Sequence, residues 1–105
     1  MADFDLSAML RQAQEMQSKL KEMQEAAAEK TVEGQSGGGL VRAIVDGAMR
    51  VRRIQIDPSI IAANDQPMME DLIAAAVNDG LERAQEMVAE EIGKLGPLAA
   101  LGKIS

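Results

Sequence analysis

Four arginines, Arg42, Arg50, Arg52 and Arg53, fall within residues 38–56 against a single acid, Asp46. That segment carries +3 in a chain whose net charge is −6, which leaves −9 on the remaining residues. Guanidinium groups are permanently charged planar forks whose donors match the oxygens of phosphates and carboxylates. Their clustering admits two chemistries: contact with the phosphates of a polyanion, or ion pairing with acidic helices of the same protein. A second and sparser set of cations, Arg11, Lys19, Lys21 and Arg83, sits in sequence that reads as helix and forms an alternative contact surface. Affinity for nucleic acid rests largely on neutralising phosphates, so an acidic chain must bind it through a local basic patch.

Other reactive chemistry is scarce. The 105 residues include no Cys and no His, which removes disulfides, thiolate nucleophiles, imidazole bases and zinc sites of the usual kind. The neighbouring carboxylates Glu70-Asp71 and Glu90-Glu91 point in different directions on a helix instead of toward one substrate. The run Ser36-Gly37-Gly38-Gly39 has the backbone freedom of a phosphate loop. No Gly-Lys-Ser/Thr follows it and no helix opens after it, so it reads as a structural connection. These observations predict a protein that is not an enzyme, with no catalytic residues, no metal site, no cofactor and no small-molecule substrate. The start, MADFDLSAML, lacks the basic residues and apolar core of a secretory signal, and no window approaches the roughly 20 apolar residues of a membrane span. A cytoplasmic protein with no membrane partner is expected.

The arginines need elements to hold them. Leu6, Met9, Ala13, Met16, Leu20, Met23 and Ala27 alternate spacings of three and four, a coiled-coil type seam that predicts a helix over residues 5–29, capped by Asp3 or Asp5. A short strand over residues 30–35 is followed by strands over 40–45 and 49–56, rich in β-branched residues, on either side of the turn signal Asp46-Gly47. Asp57-Pro58 ends the last strand, and a turn or short helical piece follows. Asp65 or Gln66 then caps a second long helix over residues 66–92 with Pro67 in its first turn. Its apolar positions, Ile73, Val77, Leu81, Ala84, Val88, Ile92 and Leu95, follow an 11-residue repeat close to a straight helix. Gly80 in its middle costs about 1 kcal/mol of helix propensity relative to Ala, which points to close packing against another backbone. Gly93, Gly96 and Pro97 stop it and leave an apolar tail at residues 93–105. The fold class is α+β, one domain with a small three-stranded antiparallel sheet between two long helices.

A two-residue turn at Asp46-Gly47 puts Val41, Ala43, Val45, Ala48, Arg50, Arg52 and Ile54 on one face of the hairpin. Leu40, Arg42, Ile44, Met49, Val51 and Arg53 fall on the other, and neither face is cleanly apolar. Either the loop is longer and the register different, or both faces are partly covered, by helices on one side and a second subunit on the other.

Read in order, GQSGGGLV (residues 34–41), Gly47, IQIDPS (54–59) and LIAAAVND (72–79) follow the Met/Gln-rich LRQAQEMQSKLKEMQ (10–24). Together they resemble the YbaB/EbfC family of bacterial nucleoid-associated proteins over nearly the whole chain. The resemblance implies a homodimer whose two small sheets form a central body from which long helices project like the arms of tweezers. It also implies double-stranded DNA as partner, a nucleoid location and no enzymatic activity. Two departures stand out: the tail after Ile92 lacks the Pro-rich basic ending of relatives, and Gly80 takes the place of an Ala after Asn78-Asp79.

Two functions from different classes compete. One is a dimeric DNA-binding protein that reads backbone and shape, with Arg42, Arg50, Arg52 and Arg53 as its contacts and the Arg11, Lys19, Lys21 and Arg83 set as the second candidate. The other is an acidic adaptor that clasps a partner protein between helical arms. The salt dependence of binding to random duplex DNA separates them.

Overall fold

The computed structural model describes residues 5–94. Asp5 is the N-cap of α1 (Leu6–Glu29), its Oδ1 accepting the N–H of Ala8 at 3.2 Å. Three strands follow, β1 (Thr31–Ser36), β2 (Val41–Asp46) and β3 (Val51–Ile56), in one antiparallel sheet of order β1-β2-β3. The 3-10 turn Gly37–Gly39 joins the first two strands, and its glycines have φ of 59°, 70° and 93°, a region that Cβ-bearing residues avoid. Asp57 caps α2 (Pro58–Ala62) and Asp65 caps α3 (Gln66–Gly93), each with Pro in the first turn. Helix, small antiparallel sheet and long helix make the expected α+β fold. Leu95 and most of the apolar tail lie outside the described residues.

One face of the sheet is covered. Register places Val32, Gly34 and Ser36 of β1, Val41, Ala43 and Val45 of β2, and Ile54 and Ile56 of β3 on it. α3 lies across β1 and β2 with Ala76, Gly80 and Ala84 buried against them. A Cβ on Gly34 would fall inside the main chain of Gly80 and Ala76, so β1 and α3 touch backbone to backbone. Gly80 meets that need from the helix side: its α-carbon faces Gly34 and the side chain of Val45. The buried ridge is thus centred on small residues, Ala76-Gly80-Ala84, with Ile73, Val77 and Leu81 half-buried on its flank. The sequence periodicity centres it instead on the larger residues. Close approach selects the smaller set, because only small side chains let a helix sit directly on a strand. Val41 and Val45 are the largest fully buried side chains.

The hairpin differs from the two-residue turn. Gly47, Ala48 and Met49 form the loop between Asp46 and Arg50, and the Asp46 N–H donates to the Arg50 carbonyl at 3.0 Å. A bulge between Ile44 and Val45 then shifts the register, so that Ile44 faces Arg53 and Val45 faces Val51. The loop is thus longer and the register different: the bulge brings Val51 opposite Val45, while Ile54 keeps its place beside the valines and Arg42 and Arg53 keep theirs on the opposite face. Within this loop the positive φ lies at Met49, 62°, and not at Gly47. Gly47 is small for another reason. A Cβ there would collide with the carbonyl of Ala27 at the end of α1, to which the loop is held by the Gly47 N–H to the Lys30 carbonyl at 3.0 Å.

Of the α1 seam, only its C-terminal part is packed within the chain. Ala27 is buried and Leu20 and Met23 are half-buried, whereas Leu6, Met9 and Met16 are 57%, 52% and 43% exposed. The arm projects, and the molecule measures 79 × 21 × 17 Å.

Candidate nucleic-acid interface

Asp46 organises the basic strand. Its carboxylate is buried and accepts the N–H groups of Ala48 and Arg50 through Oδ1, at 2.9 and 3.0 Å, and the Arg52 Nε–H through Oδ2 at 2.9 Å. The Arg52 guanidinium holds this carboxyl below the usual range, assisted by the two backbone donors and opposed by burial. Arg52 also reaches Glu29, the last residue of α1, at 3.5 Å. One arginine thus ties the arm, the turn and the third strand together.

The four hairpin arginines separate by what holds them. Arg52 is engaged by Asp46 and Glu29. Arg42 donates to the Gly39 carbonyl at 3.1 Å and lies 3.8 Å from Glu33. Arg50 and Arg53 are exposed, and among the described residues neither has an acidic group within ion-pairing distance. Arg50 follows the loop, and Arg53 stands opposite Ile44 on the uncovered face.

The second set is dispersed. Arg11 and Lys19 line an open groove of α1 together with Glu15 and Glu22, so their field is mixed. Lys21 is exposed on the same helix. Arg83 lies on α3, where it pairs with Asp79 at 3.0 Å. α1 carries three cations against four acids, and α3 one cation against seven. Neither helix offers a net positive surface; β3, with Arg52 and Arg53 and no acid, does.

Two groups of carboxylates escaped sequence reasoning. Asp79 accepts the Gln35 N–H at 2.9 Å, pinning α3 to the edge of β1; this backbone donor, then Arg83, lowers its pKa. Glu91 pairs with Lys30 at 2.5 Å and with Lys94 at 3.1 Å, joining the end of α1 to α3, and Lys30 is the larger cause of its lowered pKa. No local pattern announces pairings between residues 44 and 61 positions apart. Asp46 had a signal, since Asp at the start of a turn commonly accepts the N–H two residues on. Among the described residues no group of three or more metal-ligating side chains gathers, and no helix is long and apolar enough to cross a membrane.

Comparison with known proteins agrees with this architecture. A nucleoid-associated protein of Caldanaerobacter subterraneus subsp. tengcongensis is 45% identical over 92 residues, covering 88% of this chain and 83% of that protein. One from Syntrophobacter fumaroxidans is 44% identical over 86 residues, covering 82% and 78%. The crystal structure of an uncharacterized protein from Helicobacter pylori, 25% identical, superimposes with a TM-score of 0.66 over 79% of this chain and 87% of its own. The model of the YbaB/EbfC DNA-binding family matches residues 1–98. On the strength of that match and of the identity to its relatives, the chain belongs to the YbaB/EbfC DNA-binding family.

Proposed function

We propose that this protein is a nucleoid-associated DNA-binding protein that acts as a homodimer in the bacterial cytoplasm and contributes to nucleoid organisation. The observation that carries the reading is the pair Arg50 and Arg53: exposed, without an acidic partner among the described residues, and set in the one basic region of an acidic chain. Family membership supports it. Phosphate binding by such a patch gives affinity with little dependence on base sequence, since phosphates carry no sequence information. Arg42 joins the patch from the same face of the sheet, held by a weaker ion pair. Arg52 supports it from below by fixing the strand to Asp46. The homodimer reading rests on the arm, whose seam residues Leu6, Met9 and Met16 are left largely open among the described residues. No catalytic role is assigned to any residue.

The test is a titration of random duplex DNA at several salt concentrations. The parent should show log affinity falling with log salt, and the double variant Arg50→Ala/Arg53→Ala should bind more weakly to every sequence. Its slope should be shallower by about 0.9 for every phosphate that the variant no longer neutralises. Circular dichroism establishes that the variant is folded. If it binds as the parent does while Arg11→Ala, Lys19→Ala or Lys21→Ala abolishes binding, the DNA-binding surface lies on the arms. A folded parent without salt-sensitive affinity would replace DNA by a protein partner.

A further inference from the structure

The loop between β2 and β3 seats an unexpected residue. In a three-residue hairpin connection the last position takes a left-handed backbone and is ordinarily glycine, because a Cβ is strained there. Here that position is Met49, at φ 62°, while the glycine of the loop, Gly47, stands first. Hydrogen bonds fix the conformation from both sides. Asp46 Oδ1 accepts the N–H groups of Ala48 and Arg50, the two neighbours of Met49, and the Met49 N–H donates to the Asp46 carbonyl at 3.0 Å. Gly47, pressed on the Ala27 carbonyl, has no side chain and Ala48 has one methyl group, so Met49 carries the one long side chain of the loop. It is 36% exposed, within a run of six exposed residues, 48–53. Three of those six are arginines, and residues 47–56 contain no acid.

We infer that Met49 is an apolar wedge that enters a base step of duplex DNA from the minor groove and kinks it, while Arg50 and Arg53 hold phosphates beside the step. The inference rests on the DNA-binding reading above and adds to it a preference for deformable DNA. The first ground is the backbone. A conformation that glycine adopts freely is kept with a long side chain on it, and the fold leaves that side chain at the surface, so its use is outward. The second ground is the setting, which selects the occupant. Arg50 and Arg53 are exposed and have no acidic partner among the described residues, so the apolar tip stands beside free guanidinium groups. Duplex DNA complements that pattern, with phosphates outside and apolar base faces within, whereas an apolar pocket on a protein calls for no such charge. Only the side chain enters: the minor groove is about 6 Å wide, too narrow for a two-stranded ribbon, and an unbranched thioether is slender and flexible enough to slip between base pairs. Phosphate contacts supply the affinity and the wedge spends part of it on unstacking. Unstacking is easiest at pyrimidine–purine steps such as TA and hardest in stiff A-tracts, so the protein discriminates between sequences without a hydrogen bond to any base.

The test uses two duplexes of about 30 bp with a fluorophore at each end, one with central TA steps and one with a central A-tract, so that energy transfer reports bending. The parent should raise energy transfer in the TA duplex and bind it at least about fivefold more tightly than the A-tract duplex. Met49→Ala keeps the left-handed position and removes the thioether, while Met49→Gly removes the thioether and relaxes the backbone as well. Both should bind with the parent's salt slope, since Arg50 and Arg53 are untouched, yet both should lose the rise in energy transfer and bring the two affinities within about twofold. Met49→Leu, which keeps the apolar bulk, should bend and discriminate as the parent does. Met49→Gly should also melt near the parent or above it, which separates loss of the wedge from loss of the fold. The wedge is overturned, with DNA binding intact, if the parent binds without bending, if Met49→Ala and Met49→Gly bend and discriminate as the parent does, or if Met49→Leu behaves like Met49→Ala. Melting of Met49→Gly well below the parent overturns it too, because Met49 then serves the packing of the loop. A folded parent without salt-sensitive DNA affinity overturns both this inference and the DNA-binding reading.

Discussion

The two long helices of this protein are similar in length and opposite in use. α3 meets the sheet through Ala76, Gly80 and Ala84 and brings its backbone against Gly34. α1 leaves large apolar side chains open, with Leu6, Met9, Leu10 and Met16 between 43% and 57% exposed. On the two helices the fully buried residues are small and the most exposed apolar ones are large, the reverse of what hydrophobicity alone would assign. The difference teaches that burial within this chain is decided by how closely elements approach, and it leaves the bulky residues of α1 open.

The largest effect should come from the crossing itself. Gly34→Val places a branched side chain where the main chain of Gly80 and Ala76 already lies, and more than about 4 kcal/mol of destabilisation is expected, enough to lose the fold. A variant with a cooperative thermal transition near the parent's would mean that α3 does not sit on β1. Next comes Val45→Ala, which removes two methyl groups from a fully buried position at the same crossing; a destabilisation of about 2 to 3 kcal/mol is expected in urea unfolding, with the m-value unchanged.

On the arm the scale is smaller. Leu20, half-buried near the base of α1, should cost about 1 to 2 kcal/mol when truncated to Ala, less than a fully buried Leu. Gln17→Ala on the polar face should stay within about 0.5 kcal/mol of the parent. Equal shifts in thermal midpoint from these two substitutions would break the distinction between seam and polar face.

The most gradual effect is with pH. Asp46, Asp79 and Glu91 each join elements, and each has its pKa lowered in the fold from an ordinary 3.8, 3.8 and 4.5. A lowered folded pKa means that the unfolded chain takes up protons first as pH falls. The stability contributed is complete above the ordinary values and declines as pH drops below them toward the folded ones. Thermal midpoints should therefore hold from neutrality to about pH 5 and decline below it. Asp46→Asn, which removes one of these carboxylates, should start lower at pH 7 and decline less steeply in acid. Parallel acid limbs for parent and variant would show that the Asp46–Arg52 pair does not link protonation to stability.

Local patterns determined most of the architecture. Periods of three and four, Asp caps, Pro in first turns and glycine punctuation place both helices within a residue or two of their observed ends. β-branched runs likewise locate the strands, because capping, backbone freedom and amphipathic spacing act over a few residues. Gly80 was legible as a site of close approach, and the basic cluster as a charge anomaly. Tertiary structure alone decided the rest: the three-residue loop and bulge that redistribute the hairpin faces, the choice of Ala76-Gly80-Ala84 as the buried ridge, and the division of the arginines into engaged Arg52 and open Arg50 and Arg53. Each depends on partners far away in sequence, Ala27 for Gly47, Gly34 for Gly80, Glu29 for Arg52. Such pairings are set by the distance between elements once they have packed, a quantity that no residue's own preferences encode.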